Sequence, residues 1–197
     1  MWKKAEKFLL KDKYIGPLIK KYGPCKIKPA KKKNYFVDLV ETIASQQLSY
    51  KAALTIFNRI KEKAGGEITA ENILGLKDKE IRACGMSWAK ASYVKDLAQR
   101  VKSNKLQITK LDKLSDEEVT KELVAVKGIG LWSAKMVLMF TLARPDIFPT
   151  DDLGIKNGMK RLLKRGLKPQ KLAKFAERWK PYRTVASWYI WRNLENR

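Results

Sequence analysis

Apolar residues recur at three- and four-residue intervals along most of the chain, the spacing that lines one face of an α-helix. The runs Phe36–Leu48, Ala52–Ile60, Trp88–Val101, Val119–Val126, Trp132–Leu142, Ile155–Leu163, Leu172–Trp179 and Val185–Leu194 all carry it. Boundary signals agree with these runs. Ser115-Asp116-Glu117-Glu118 reads as a capping box, in which the Ser oxygen takes an amide three residues on and Glu118 reaches back. Thr69-Ala70-Glu71-Asn72 is a weaker version, and Gly65-Gly66, Gly85 and Gly128 follow periodic segments as terminators. No alternating run is long enough for a strand. The pattern predicts an all-α protein of about nine or ten helices.

Two breaks interrupt it. The segment CKIKPAKKK, at Cys25–Lys33, is basic and poor in apolar surface, and it predicts an exposed linker. Pro145, in Arg144-Pro145-Asp146, predicts the end of the preceding helix. Together they mark a central block of 34–145 flanked by 1–33 and 146–197.

Charge changes the picture more than composition does. The 197 residues are 45% hydrophobic, enough for a buried core, but 43 Lys+Arg stand against 20 Asp+Glu. A formal charge of +23 points to phosphate backbone as the partner, ahead of an anionic membrane. No run of about 18 apolar residues could span a bilayer. The start Met1-Trp2-Lys3-Lys4-Ala5-Glu6 lacks a signal-peptide core. An intracellular monomer is expected, cytoplasmic and nucleoid-associated in a prokaryote. With Cys25 and Cys84 alone and no His, neither a zinc site nor an iron–sulfur cluster is expected at the reacting centre. Acid–base chemistry then falls to carboxylates, Lys, Tyr or Cys.

The stretch Leu123–Asp152, LVAVKGIGLWSAKMVLMFTLARPDIFPTDD, holds the candidate chemistry. Gly128-Ile129-Gly130 predicts a tight hairpin between two helices, with Lys127 beside it and outward-facing amides that can donate to a phosphate. Further on, Thr150, Asp151 or Asp152 could each cap the helix through Ile155. A carboxylate there could also stabilise a sugar oxocarbenium ion or direct an attacking water. Of six Trp residues most belong to core or boundary, but Trp132 opens a helix directly after the hairpin. A flat side chain at such a place can receive a flipped-out base.

The blocks ASQQLSYKAA, VKGIGLWSAKM, PTDDLGIKNGM and AERWKPYRTVASWYIW, in this order over residues 35–195, resemble the helix–hairpin–helix DNA glycosylases, and most closely the 3-methyladenine DNA glycosylase II group. The resemblance implies a two-lobed all-α fold with a cleft between lobe 34–145 and a lobe made of 1–33 plus 146–197. It implies double-stranded DNA with alkylated purines such as 3-methyladenine or 7-methylguanine as substrate. It implies Asp152 as the catalytic carboxylate, Asp151 being structural. Trp132 and Trp191 match pocket aromatics, Met136 stands where the bacterial enzyme has a further one, and Gln47 matches the residue that plugs the duplex. No cofactor is implied beyond a sodium or potassium ion on the carbonyls of Val124, Val126 and Ile129 when DNA is bound. Members that also cut the strand carry Lys at the Trp132 position for a Schiff base; a monofunctional enzyme without AP-lyase activity is expected. The competing readings are a non-catalytic helix–hairpin–helix DNA-binding module and a glycosylase for oxidised or deaminated bases.

Overall fold

The computed structural model describes residues 1–31 and 34–195. Among these residues there are twelve α-helices and no strand. They are α1 (Lys3–Leu9), α2 (Ile15–Tyr22), α3 (Tyr35–Ser45), α4 (Tyr50–Lys63), α5 (Ala70–Gly75), α6 (Asp78–Ala83), α7 (Trp88–Lys102), α8 (Asp116–Val124), α9 (Leu131–Met136), α10 (Leu153–Leu163), α11 (Pro169–Ala176) and α12 (Arg183–Glu195). The count exceeds the nine or ten predicted because α1, α2, α5 and α6 have only six to eight residues each, too few for a sustained apolar period. No helix of the described residues is long and apolar enough to cross a membrane.

The capping signals hold. Ser115 Oγ accepts the Glu118 amide at 3.2 Å, and Glu118 accepts the Ser115 amide at 2.7 Å. Thr69 caps α5 in the same way, and Ser49 and Ser87 cap α4 and α7. The predicted helix Trp132–Leu142 is not uniform. After Met136 it widens into a π-helical segment, Val137–Thr141, and closes at Ala143 in the left-handed region, ahead of Pro145.

The chain forms two compact units, one from Met1–Pro29 with Leu138 onward, the other Ala30–Val137. Both boundaries fall earlier than the breaks read from composition. The basic segment is also less of a linker than predicted: Ile27 is buried, and its carbonyl accepts the Trp2 indole N–H at 2.8 Å. Lys32 and Lys33 lie outside the described residues.

In the second unit, α7 packs against α3, α5 and α6, and α8 packs against α9. Ile43, Ile60, Ile73, Ile81, Val94 and Leu97 are fully buried there. In the first unit, α12 packs on α10, α2 and α1 around Leu9, Ile15, Trp179, Val185 and Tyr189. Buried residues line more than one face of α12, so it serves as the unit's central helix. Gly158 lets α10 approach it closely: a Cβ there would lie 2.4 Å from Ile190 Cγ2.

Gly158→Ala tests this crossing. Helix propensity alone would stabilise the protein by about 1 kcal/mol. Overpacking is expected to win and to lower stability by about 1–2 kcal/mol in urea denaturation. A stabilised variant would show that the helices do not meet this closely.

Candidate active site

The hairpin follows α8 directly. After the last helical turn, the Ile129 amide donates to the Val126 carbonyl at 3.1 Å and turns the chain. Gly128 sits at φ 79, and a Cβ there would lie 2.0 Å from Tyr93 Cδ2, so both its backbone and its surroundings require glycine. Gly130 differs from expectation. Its φ of −91 and ψ of 177 suit any residue, and open space surrounds it, so its small size serves only approach from outside.

Not every hairpin amide faces outward. The Lys127 amide donates to Asp96 Oδ2 at 2.9 Å and is therefore already engaged, although the Lys127 side chain is exposed. The Gly128 and Gly130 amides have no acceptor among the described residues. Gly130 is the N-cap of α9, whose first turn adds helix-dipole attraction for an anion. Asp96 also accepts Arg100 Nε at 2.9 Å. Burial pushes its pKa up, but the Lys127 amide and the Arg100 guanidinium together outweigh this and hold it below the ordinary aspartate value.

Beside the hairpin the second unit has a cavity of about 690 Å³. Its lining includes Gln46, Gln47, Lys90, Tyr93, Trp132 and Met136. Four predicted residues are thus brought together: Gly128 of the hairpin; Trp132, 42% exposed; Met136, half-buried; and Gln47, exposed. The helix predicted to reach Leu48 instead stops at Ser45. Gln46 is extended and Gln47 takes φ 57, an unusual backbone for a non-glycine residue.

Sequence reading missed the residues that hold this turn. Lys90 Nζ donates to the carbonyls of Ala44 at 2.8 Å and Gln46 at 2.6 Å. Gln46 Nε2 donates to the Gly128 carbonyl at 2.8 Å. Only the spacing of Lys90, Tyr93 and Asp96, which places them on one face of α7, could have hinted at a shared task.

Asp152 and Trp191 belong to the first unit. Of the three candidate caps, Asp152 is the one that starts α10: its Oδ1 accepts the Ile155 amide at 2.7 Å. The same oxygen accepts the Trp191 indole N–H at 2.9 Å. Asp151 is exposed. Trp191 is half-buried, with its ring 5.7 Å from that of Phe140 at an interplanar angle of 35°. Trp188 instead packs edge-on to Tyr189. Gly154 leaves room for the indole, because a Cβ there would lie 2.8 Å from Trp191 Nε1.

The loop leading to Asp152 is fastened to the start of α12. Arg183 grips the Asp146 carboxylate at 2.8 and 2.9 Å, and Thr184 Oγ1 donates to the Arg144 carbonyl at 2.6 Å while accepting the Ile147 amide at 2.9 Å. One helix therefore secures both the loop and the carboxylate at its end.

The family model of HhH-GPD superfamily base excision DNA repair proteins matches residues 40–183, and the chain belongs to this family. It is 37% identical over 185 residues to DNA-3-methyladenine glycosylase 1 of Schizosaccharomyces pombe, covering 91% of this chain and 80% of that protein. Among solved structures it is similar to S. pombe 3-methyladenine DNA glycosylase (Mag1) in complex with abasic DNA, with a TM-score of 0.82 and 35% identity over 96% of this chain and 95% of that one. It is also similar to the DNA-3-methyladenine glycosidase of Bacillus halodurans, with a TM-score of 0.85 and 32% identity over 98% and 90%. The fold is that of the helix–hairpin–helix glycosylases.

The lowered pKa of Asp96 fixes a sign. Its contribution to stability is present above the unfolded-state value and is lost as pH falls through the lower folded value. Urea denaturation from about pH 6 to about pH 3 is expected to show a shallower decline for Asp96→Asn, after a loss of about 1–2 kcal/mol at neutral pH. Parallel curves would mean that Asp96 does not hold the hairpin through its charge.

Proposed function

We propose that this protein is a monofunctional DNA glycosylase that hydrolyses the N-glycosidic bond of alkylated purines such as 3-methyladenine or 7-methylguanine. The observation that carries the reading is the immobilised carboxylate of Asp152, in a chain whose relatives bear the name DNA-3-methyladenine glycosylase. Methylation at N3 or N7 makes the purine cationic, so it departs as a neutral base when the C1′–N bond breaks. Little acid catalysis is needed, which suits a chain without His. Asp152 stabilises the oxocarbenium ion left on the sugar and directs the water that completes the abasic site.

Trp132 and Met136 receive the flipped base. A cationic ring over Trp132 gains about 0.5–2 kcal/mol from cation–π attraction. Trp191 supports the reaction through Asp152: its indole N–H holds the carboxylate, which adds a task to the base contact inferred from resemblance. Gln47 fills the space that the flipped nucleotide leaves. Gly128 and Gly130 offer amides to a phosphate, with Lys127 and Ile129 completing the hairpin. Trp132 supplies no amine for a Schiff base, so the strand stays intact after excision.

The carbonyls of Val124, Val126 and Ile129 are neutral oxygen donors, and Val126 spends only one lone pair on the Ile129 amide. Such a set suits a sodium or potassium ion. When bound, the ion would place positive charge beside a DNA phosphate.

Excision from N-methylated duplex DNA by wild type and Asp152→Asn tests the assignment. Asn keeps the cap, so the fold is expected to persist while the single-turnover rate drops on the order of 100-fold or more. Release at the wild-type rate would sink the role of Asp152. DNA affinity is also expected to fall steeply with ionic strength, and salt-insensitive binding would contradict the phosphate grip.

A further inference from the structure

The face of α7 that carries Lys90, Tyr93 and Asp96 touches both elements assigned above to DNA. Each residue holds a different part. Lys90 donates to the carbonyls of Ala44 and Gln46 at the end of α3. Tyr93 lies flush against Gly128, where no Cβ would fit. Asp96 accepts the Lys127 amide. The Gln46 side chain closes the circuit by donating to the Gly128 carbonyl at 2.8 Å and lying 3.4 Å from Ser133 Oγ.

We infer that Lys90, Tyr93 and Asp96 form a positioning rack that sets the Gln46–Gln47 turn at a fixed spacing from the Gly128 hairpin, and that Lys90 is the residue on which base-pair opening by Gln47 depends. The inference rests on the glycosylase reading. A helix ends with carbonyls that lack intrahelical donors, and α3 ends with its last ones facing an ammonium on a neighbouring helix. Gln47 sits directly beyond them in the left-handed region, a conformation that persists only where the surroundings over-determine it. Lys90 supplies that constraint. It is half-buried, and burial pushes its pKa below the ordinary lysine value. Removing its amino group would leave two carbonyls without their donor and free the turn to relax. A wedge must enter the duplex against the resistance of a stacked pair, so its rigidity matters only when a pair has to be opened. Chemistry on a base already outside the stack does not need it.

This separation gives the test. Single-turnover excision is measured on an N-methylated purine in a fully paired duplex and on the same lesion in a single-nucleotide bulge. Lys90→Met is expected to lose about tenfold more rate on the paired substrate than on the bulged one, the scale of a charge-assisted hydrogen bond. Lys90→Arg, which keeps the charge and the donors, is expected to restore most of the difference. A second readout needs no chemistry: 2-aminopurine placed beside a stable abasic-site analogue should brighten less with saturating Lys90→Met than with wild type. Equal losses on both substrates, or equal brightening, would overturn the inference. Should Lys90→Met fail to fold by circular dichroism, Gln46→Ala severs the same span from the other side and must show the same separation, or the inference falls. If wild type releases no base from either substrate, the glycosylase reading fails, and the 2-aminopurine comparison still decides the role of Lys90.

Discussion

A carboxylate that works on DNA is in an unfavourable place, because every approaching phosphate repels it. Asp152 can serve the proposed chemistry only if its position is set before DNA arrives. The structure sets it through one oxygen: Oδ1 takes the Ile155 amide from its own helix and the Trp191 indole from α12. Two donors from different helices fix the carboxyl plane more tightly than a cap alone, and they use the positive end of α10 to do so. Tight crossing of α10 and α12 at Gly158 and the Arg183–Asp146 grip both serve to keep these donors in register.

The second unit meets the opposite problem. With a formal charge of +23, attraction for DNA is available over the whole chain and carries no positional information. In the proposed reading, position comes instead from neutral groups: the Gly128 and Gly130 amides and the turn at Gln47. The charged residues near them, Lys90 and Asp96, are spent on backbone groups of the protein. In the proposed reading, global charge brings DNA in, and local hydrogen bonding sets where it is held.

Much of this was legible in the sequence, and the exceptions have physical causes. The helix read over Trp88–Val101 is α7, Trp88–Lys102, and the capping box at Ser115 forms with both bonds, because these signals act within one or two turns. The π segment at Val137–Thr141 was invisible, since a period count cannot register one added residue inside a continuous apolar run. Ile27 went unnoticed among lysines because it is buried in a core built from residues distant in sequence, and its carbonyl bonds to Trp2. At the candidate site, residue types pointed to Asp152, Trp132 and Gln47. The tasks of Lys90, Gln46 and Asp96 depend on partners 31 to 82 residues away, which no local pattern encodes.

Gly154 carries a consequence for how this site can vary. Its Cα is the floor on which the Trp191 indole rests, with a Cβ excluded by 2.8 Å to Nε1 and 3.0 Å to Asp152 Oδ1. Any side chain at this position would compete with the indole for the same space and tilt it off the carboxylate, although helix propensity alone would welcome an alanine. The proposed reacting group is thus tuned by a methyl that is missing. Selection for a more stable α10 and selection for a well-aimed carboxylate pull this one position in opposite directions.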